Sequence, residues 1–200
     1  MVKIARIVNH FFHSNTYILS VEGLDYVWLV DCGDYLRVKR KLKGKSVKGV
    51  LISHTHADHI YGVNKLIEDF PNALIVTNDF GKNALYDPKL NLTKYHENVP
   101  DFLLSQSAII FVLGEGNRIE LFPEIIAEVM ETFGHDRSCL SYIIGNYLFT
   151  GDSYIPGVKL TAKFPNSNKK DALIQYNRLK EMEEQYIICP GHGNIKKIRR

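Results

Sequence analysis

Seven consecutive residues, Ser53-His54-Thr55-His56-Ala57-Asp58-His59, follow directly on the apolar run Val50-Leu51-Ile52 and constrain this chain more than any other feature. A short continuous apolar run is what a strand buried on both faces requires. His54 and His56 lie two apart in extended chain, so their rings project to the same side. Two imidazoles on one side, at the exit of a rigid strand, make a ligand pair for one metal. Asp58 and His59 follow where the chain turns into a helix and aim at a neighbouring spot. Four ligand-type side chains within six residues suit two adjacent metals better than one.

The rest of the chain reads as two β-rich halves, each followed by a helix. Lys3–Val8, Thr16–Val21 and Tyr26–Asp31 are short strand-like runs, and Tyr35–Leu42 has helical spacing. Ile60, Val63, Leu66, Ile67 and Phe70 recur three or four apart, which predicts a helix over Ile60–Phe70, and Ala73–Thr77 is a strand. Asn78–Ser107 carries breakers and no sustained period, as expected of a long loop with short helical pieces. Strands are predicted at Ile119–Leu121, Ile125–Thr132, Leu140–Ile144 and Tyr147–Phe149, with a tight turn at Gly145-Asn146. Lys169–Met182 is a helix with Asn168 as its N-cap, and Tyr186–Cys189 is a last strand. One layered α/β domain over residues 1–200 follows.

At 45% apolar and 24% charged residues the chain is an ordinary globular one, which excludes a disordered protein. Cys32, Cys139 and Cys189 are odd in number and never C-x-x-C, which argues against a disulfide framework and a thiolate zinc site; buried thiols are expected. Charges stand at Lys3 and Arg6, where a signal peptide needs an apolar core, and no apolar stretch approaches a membrane span. A cytoplasmic protein without a membrane partner is expected. Basic residues crowd Arg37–Lys48 and the tail Lys196, Lys197, Arg199 and Arg200. They are read as a solvated helix face and tail, with no nucleic-acid partner.

The string His54-Thr55-His56-Ala57-Asp58-His59, followed in order by Gly134-His135, Gly151-Asp152 and Gly191-His192, resembles the metallo-β-lactamase superfamily from near residue 1 to residue 193. The resemblance implies a four-layer αβ/βα sandwich with the metals in a cleft at one edge of the sheets. It also implies ligands: His54, His56 and His135 for a first ion, Asp58, His59 and His192 for a second, and Asp152 shared. Asp31 would stand behind a ligand imidazole and orient it. Two divalent ions are implied, zinc before iron or manganese. A hydroxide shared by the ions would attack a carbonyl carbon or a phosphorus, with Asp58 and Asp152 as the carboxylates of the catalytic centre.

The expected activity is hydrolysis of an ester, thioester or lactone of a small metabolite, since the short form resembles small glyoxalase-II-like proteins. The rivals are a nuclease or phosphodiesterase of the same superfamily, an iron-dependent persulfide dioxygenase and a non-catalytic metal-binding module. Candidate substrate contacts are Tyr61, where many family hydrolases have a glycine, Tyr154 after the shared Asp, and Lys159 and Lys163 in the following loop. Two departures bear on a strict glyoxalase assignment. The chain ends soon after the last histidine, without the helical domain that holds glutathione in higher organisms. Where that branch reads T-P-G-H-T-x-G-S, this chain reads Thr132-Phe133-Gly134-His135-Asp136-Arg137-Ser138-Cys139.

Overall fold

In the computed structural model, which describes residues 1–97 and 99–198, the described chain forms two sheets with helices outside both. The first sheet has the order β1 (Lys3–Val8), β2 (Asn15–Ser20), β3 (Tyr26–Val30), β4 (Ser46–Leu51), β5 (Leu74–Thr77) and β6 (Ile109–Val112). Its first three strands are antiparallel, and β3 through β6 run parallel. The second sheet has the order β11-β10-β9-β8-β7, with β7 (Arg118–Phe122), β8 (Ile125–Glu131), β9 (Leu140–Ile144), β10 (Tyr147–Gly151) and β11 (Ile187–Pro190).

Apolar side chains on both faces of each sheet dictate the layering. Between the sheets, Tyr17, Leu19, Trp28, Leu51 and Val76 meet Phe122, Val129, Tyr142, Ile144 and Phe149. The outer face of the first sheet (Leu29, Val50, Ile75) is covered by Val38 and Leu42 of α1 (Tyr35–Leu42), Ile60 of α2 (Ala57–Ile60) and Leu66 of α3 (Val63–Asp69). The outer face of the second sheet (Met130, Leu148, Ile188) is covered by Leu179 of α5 (Lys169–Glu181). Helix, sheet, sheet, helix is the αβ/βα sandwich. Each fully buried Leu, Ile or Phe contributes roughly 1.5–3 kcal/mol, so these three interfaces carry the fold.

Strand direction explains where the site must form. The strands β3 and β4 point the same way and end at Asp31 and Ser53-His54. In the second sheet β8 and β10 are both antiparallel to β9, and β11 is parallel to β10. Those three therefore exit on one edge, next to His135, Asp152 and His192.

The structure departs from the expected elements in two places. The helix expected over Ile60–Phe70 is two, α2 and α3, broken at Tyr61-Gly62. There the His59 carbonyl accepts from Cys32 N and Gly62 N donates to the Cys32 carbonyl, so the backbone is tied to the end of β3 rather than to its own next turn. The segment Ile109–Val112, within a stretch given no element, is the parallel edge strand β6. The long loop holds α4 (Asp79–Ala84), capped by Asn78, whose side chain accepts from Gly81 N. All three cysteines are buried and unpaired. Of the basic residues, Arg37 donates to the Val8 carbonyl, Lys39 pairs with Asp69 and Lys48 lies over the Tyr26 ring; Arg199 and Arg200 lie outside the described residues.

Gly134, in the loop between β8 and β9, packs against the first turn of α5. Its φ of +131° is open mainly to glycine, and a Cβ there would overlap the backbone of Ala172. Its carbonyl accepts from Asn168 N, at the start of α5. Gly134→Ala should therefore cost at least about 2 kcal/mol of stability, read as a lower urea midpoint; an unchanged midpoint would show that α5 can move away freely.

Candidate metal centre

The strand ends deliver three groups of ligand atoms to one place. His54, His56 and His135 form one, Asp58, His59 and His192 a second, and His54, His59 and Asp152 a third between them. His56 Nδ1 lies 3.1 Å from His135 Nε2, and His59 Nε2 lies 3.4 Å from His192 Nε2. Asp152 reaches both sides: its Oδ2 is 3.7 Å from His135 Nε2 and 3.4 Å from His192 Nε2, and its Oδ1 is 3.7 Å from His59 Nε2. Asp58 Oδ2 stands 3.2 Å from His192 Nε2.

Three of the imidazoles have an outward nitrogen that meets a hydrogen-bond partner. Asp31 Oδ2 accepts from His59 Nδ1 at 2.8 Å and from Ser53 Oγ at 2.7 Å, and Ser53 Oγ lies 3.1 Å from His54 Nδ1. Because Ser53 gives its proton to Asp31, it is left to accept one from His54. The Thr161 carbonyl can only accept, so His135 Nδ1, 2.8 Å away, donates to it. His56 Nε2 is 3.5 Å from Asp136 Oδ2. The inner nitrogens of His54 and His135 thus keep lone pairs for a cation, and that of His59 offers one when its proton is given up.

A cation fits what remains. His54 Nε2 and Asp152 Oδ1 are buried atoms with no hydrogen-bond partner among the described residues, a costly arrangement unless something else satisfies them. Gly191 leaves room for it, since a Cβ there would overlap Asp152 Oδ1 and sit 3.0 Å from His59. The loop carrying His192 is pinned by β2: Asn15 N donates to the Gly191 carbonyl at 2.6 Å and Tyr17 Oη to the Pro190 carbonyl at 2.7 Å. Asp31 adopts φ 58° in the left-handed region, a strained backbone of the kind found at functional sites, while its N–H donates to the Leu51 carbonyl.

The charges follow. Burial opposes ionisation of Asp152, but hydrogen bonding to His192 and the neighbouring His59 and His54 carry it well below the usual carboxylate range. Burial would lower His59 and His192, yet the carboxylates around them win and raise them to about 9 and about 10. His54, buried among other imidazoles, is pushed down. His59 and His192 are therefore protonated at neutral pH in the metal-free protein and must lose those protons to ligate. Addition of Zn²⁺ to metal-free protein in weak buffer at pH 7 should release about two protons per chain from His59 and His192 beyond any from a bound water, read with an indicator dye; release of one proton or fewer would show these imidazoles already neutral.

The ligand atoms floor a cleft of about 200 Å³ walled by Phe12, Leu92, His96, Ile155, Val158, Lys159, Leu160 and Phe164. Lys159 lines it. Lys163 is exposed and does not. The structure corrects two sequence candidates. Tyr154 is 2% exposed and packs edge-on against Tyr176 in the core under α5, because its ring is apolar bulk that this interface needs. Tyr61 turns away from the ligands and donates to Asp34 Oδ1 at 2.7 Å. Sequence reasoning missed Asp136, His96 and the Phe12 wall. The only trace of Asp136 was its place after the third histidine. A larger cavity, about 820 Å³, lies beside α4 and α5 with Asp79, Glu131, Asp171 and Arg137 on its walls, and none of the ligand groups faces it.

Comparisons with known proteins give the family. The family model described as the metallo-beta-lactamase superfamily matches residues 11–192. A probable metallo-hydrolase of Streptococcus pyogenes is 24% identical over 201 residues, covering 96% of this chain and 84% of its own length. A hydroxyacylglutathione hydrolase of Hahella chejuensis is 31% identical over 194 residues, covering 93% of this chain and 65% of its own length. The chain thus spans just under two thirds of that enzyme. Among solved structures, the BLEG-1 B3 metallo-beta-lactamase superposes with a TM-score of 0.86 at 21% identity, over 96% of this chain and 93% of that one. ETHE1 from Myxococcus xanthus superposes with a TM-score of 0.71 at 19% identity, over 96% and 76%. A third, solved in a di-iron-bound form, gives 0.77 at 21% identity, over 96% and 94%. The chain belongs to the metallo-β-lactamase superfamily and is a metal-dependent hydrolase.

Proposed function

We propose that the protein hydrolyses an ester, thioester or lactone of a small metabolite, as its similarity to the hydroxyacylglutathione hydrolase named above suggests. The observation that carries this is the pair of adjacent His/Asp ligand groups at the floor of a small, mostly apolar cleft. His54, His56 and His135 would hold one divalent ion, Asp58, His59 and His192 the other, and Asp152 both. Bound there, the ions supply Lewis acidity and lower the pKa of a coordinated water towards about 7.

The chain's own residues do the rest. Asp31 and Ser53 keep His59 and His54 in the tautomers that offer lone pairs inward. Asp58 and Asp152 bring negative charge that balances the cations. Phe12, Leu92, Ile155, Val158, Leu160 and Phe164 wall off bulk water and suit a short acyl chain. Lys159 on the wall suits an anionic group at the far end of the substrate. A nucleic-acid backbone would need a basic track into the cleft, whereas Arg37 and Lys39 of α1 are engaged with Asp34 and Asp69.

The zinc-loaded protein should cleave a hydroxyacyl-glutathione or, failing that, a lactone under nitrogen. Oxygen uptake with glutathione persulfide by the iron form, or cleavage of phosphodiesters alone, would falsify the assignment. Lys159→Ala should raise KM for an anionic substrate about 5- to 20-fold and leave kcat within about twofold, because one exposed charge contacts ground and transition state alike. An equal loss with a neutral ester would remove Lys159 from substrate binding.

A further inference from the structure

The ligand imidazoles do not all have equivalent supports. Asp31 serves His59 directly and His54 through Ser53, a role that the family resemblance already implied. Support for His56 comes from a residue that no motif supplies. With His56 Nδ1 facing the ligand group, its Nε2 points back into the protein, where Asp136 Oδ2 lies 3.5 Å away. Both atoms are buried, and neither has a hydrogen-bond partner of ordinary geometry among the described residues.

The other oxygen of Asp136 is fully engaged. Ser138 donates to Oδ1 twice, from its backbone N at 2.8 Å and from Oγ at 2.5 Å. Ser138 Oγ then accepts from Thr55 N at 3.0 Å and from Thr55 Oγ1 at 3.1 Å. Thr55 sits between His54 and His56, so a closed circuit runs from Thr55 through Ser138 and Asp136 to His56. A buried carboxylate oxygen with no donor is expensive. Among the described residues, the one donor within reach of Asp136 Oδ2 is a proton on His56 Nε2, and that proton leaves the lone pair on Nδ1, facing the cleft.

We propose that Asp136 is a positioning residue: held by Ser138, it fixes His56 as the Nε2–H tautomer and offers Nδ1 to the metal. It is the counterpart, for the group containing His135, of what Asp31 does for the group containing His192. The two residues that build the support, Asp136 and Ser138, are among those at which this chain departs from T-P-G-H-T-x-G-S, carrying Asp for Thr and Ser for Gly. The inference rests on His56 being a ligand, but not on any substrate.

Asp136→Asn, which keeps the shape and removes the charge, and Asp136→Ala test it. Zn²⁺ affinity is measured by competition with a chromophoric chelator, the Co²⁺ absorption spectrum reports ligand geometry, and Tm is taken on the metal-free protein. The expected result is one ion held about 10- to 100-fold more weakly, the other unchanged, with an altered Co²⁺ spectrum and little change in metal-free Tm. Ser138→Gly should weaken the same ion by a smaller factor. Wild-type affinity for both ions in both Asp136 variants overturns the proposal, as does equal weakening of both ions. If Asp136→Ala does not fold, Asp136→Asn decides; if neither folds, Asp136 serves the fold and the proposal fails. A wild-type protein that holds no ion removes the metal reading and this inference together, whereas two ions in wild type and unchanged variants remove this inference alone.

Discussion

Three donors converge on one buried carboxylate. Ser53 N, Ser53 Oγ and His59 Nδ1 all point at Asp31, which is 2% exposed. A carboxyl group so far from water is tolerable only when its oxygens are hydrogen-bonded. Meeting that condition locks the end of β3 to the end of β4 and sets two imidazoles at once. The left-handed backbone at Asp31 is the local strain that this arrangement requires. Removal of the carboxylate would strand a backbone N–H, a hydroxyl and an imidazole N–H in the interior, each costing about 1–3 kcal/mol.

Five imidazoles and two carboxylates at one edge are a poor way to stabilise a protein. Opposite charges offset some of the desolvation in the metal-free state, which is why His59 and His192 are held protonated and Asp152 ionised. The pairing is a compromise, because the same atoms cannot both pair with each other and ligate a cation. The cores between and outside the sheets supply the stability that the site does not.

Much of this was legible in the sequence, for physical reasons. Strands buried on both faces announce themselves as apolar runs, and the ligand string needs its residue types at fixed spacing. Edge strand β6 was missed because half-exposed Ile109 and Phe111 offer no clear burial pattern beside a long irregular segment. The break at Tyr61-Gly62 was invisible because the helical period of Ile60, Val63, Leu66 and Ile67 continues through it; a tertiary bond to Cys32 overrides the period. Tyr154 was read by its neighbour in sequence rather than by the apolar interface that absorbs it. Asp136 shows the reverse failure: a polar residue in a loop has many uses, and only its approach to His56 selects one.

The two ligand groups share one topological property. His56 and His135 are 79 residues apart, and His59 and His192 are 133 apart. Each group takes residues from both sheets, so neither exists until the sheets have docked. An ion in either group would close a long loop across the sandwich, acting as a removable staple between halves that otherwise hold together by apolar contact and a few hydrogen bonds such as Tyr142 Oη to the Ile52 carbonyl. Chelation would then loosen the protein along the seam between its sheets, and a chain caught half-folded would present only the His54–His59 cluster, an exposed chelator with no enclosing cleft.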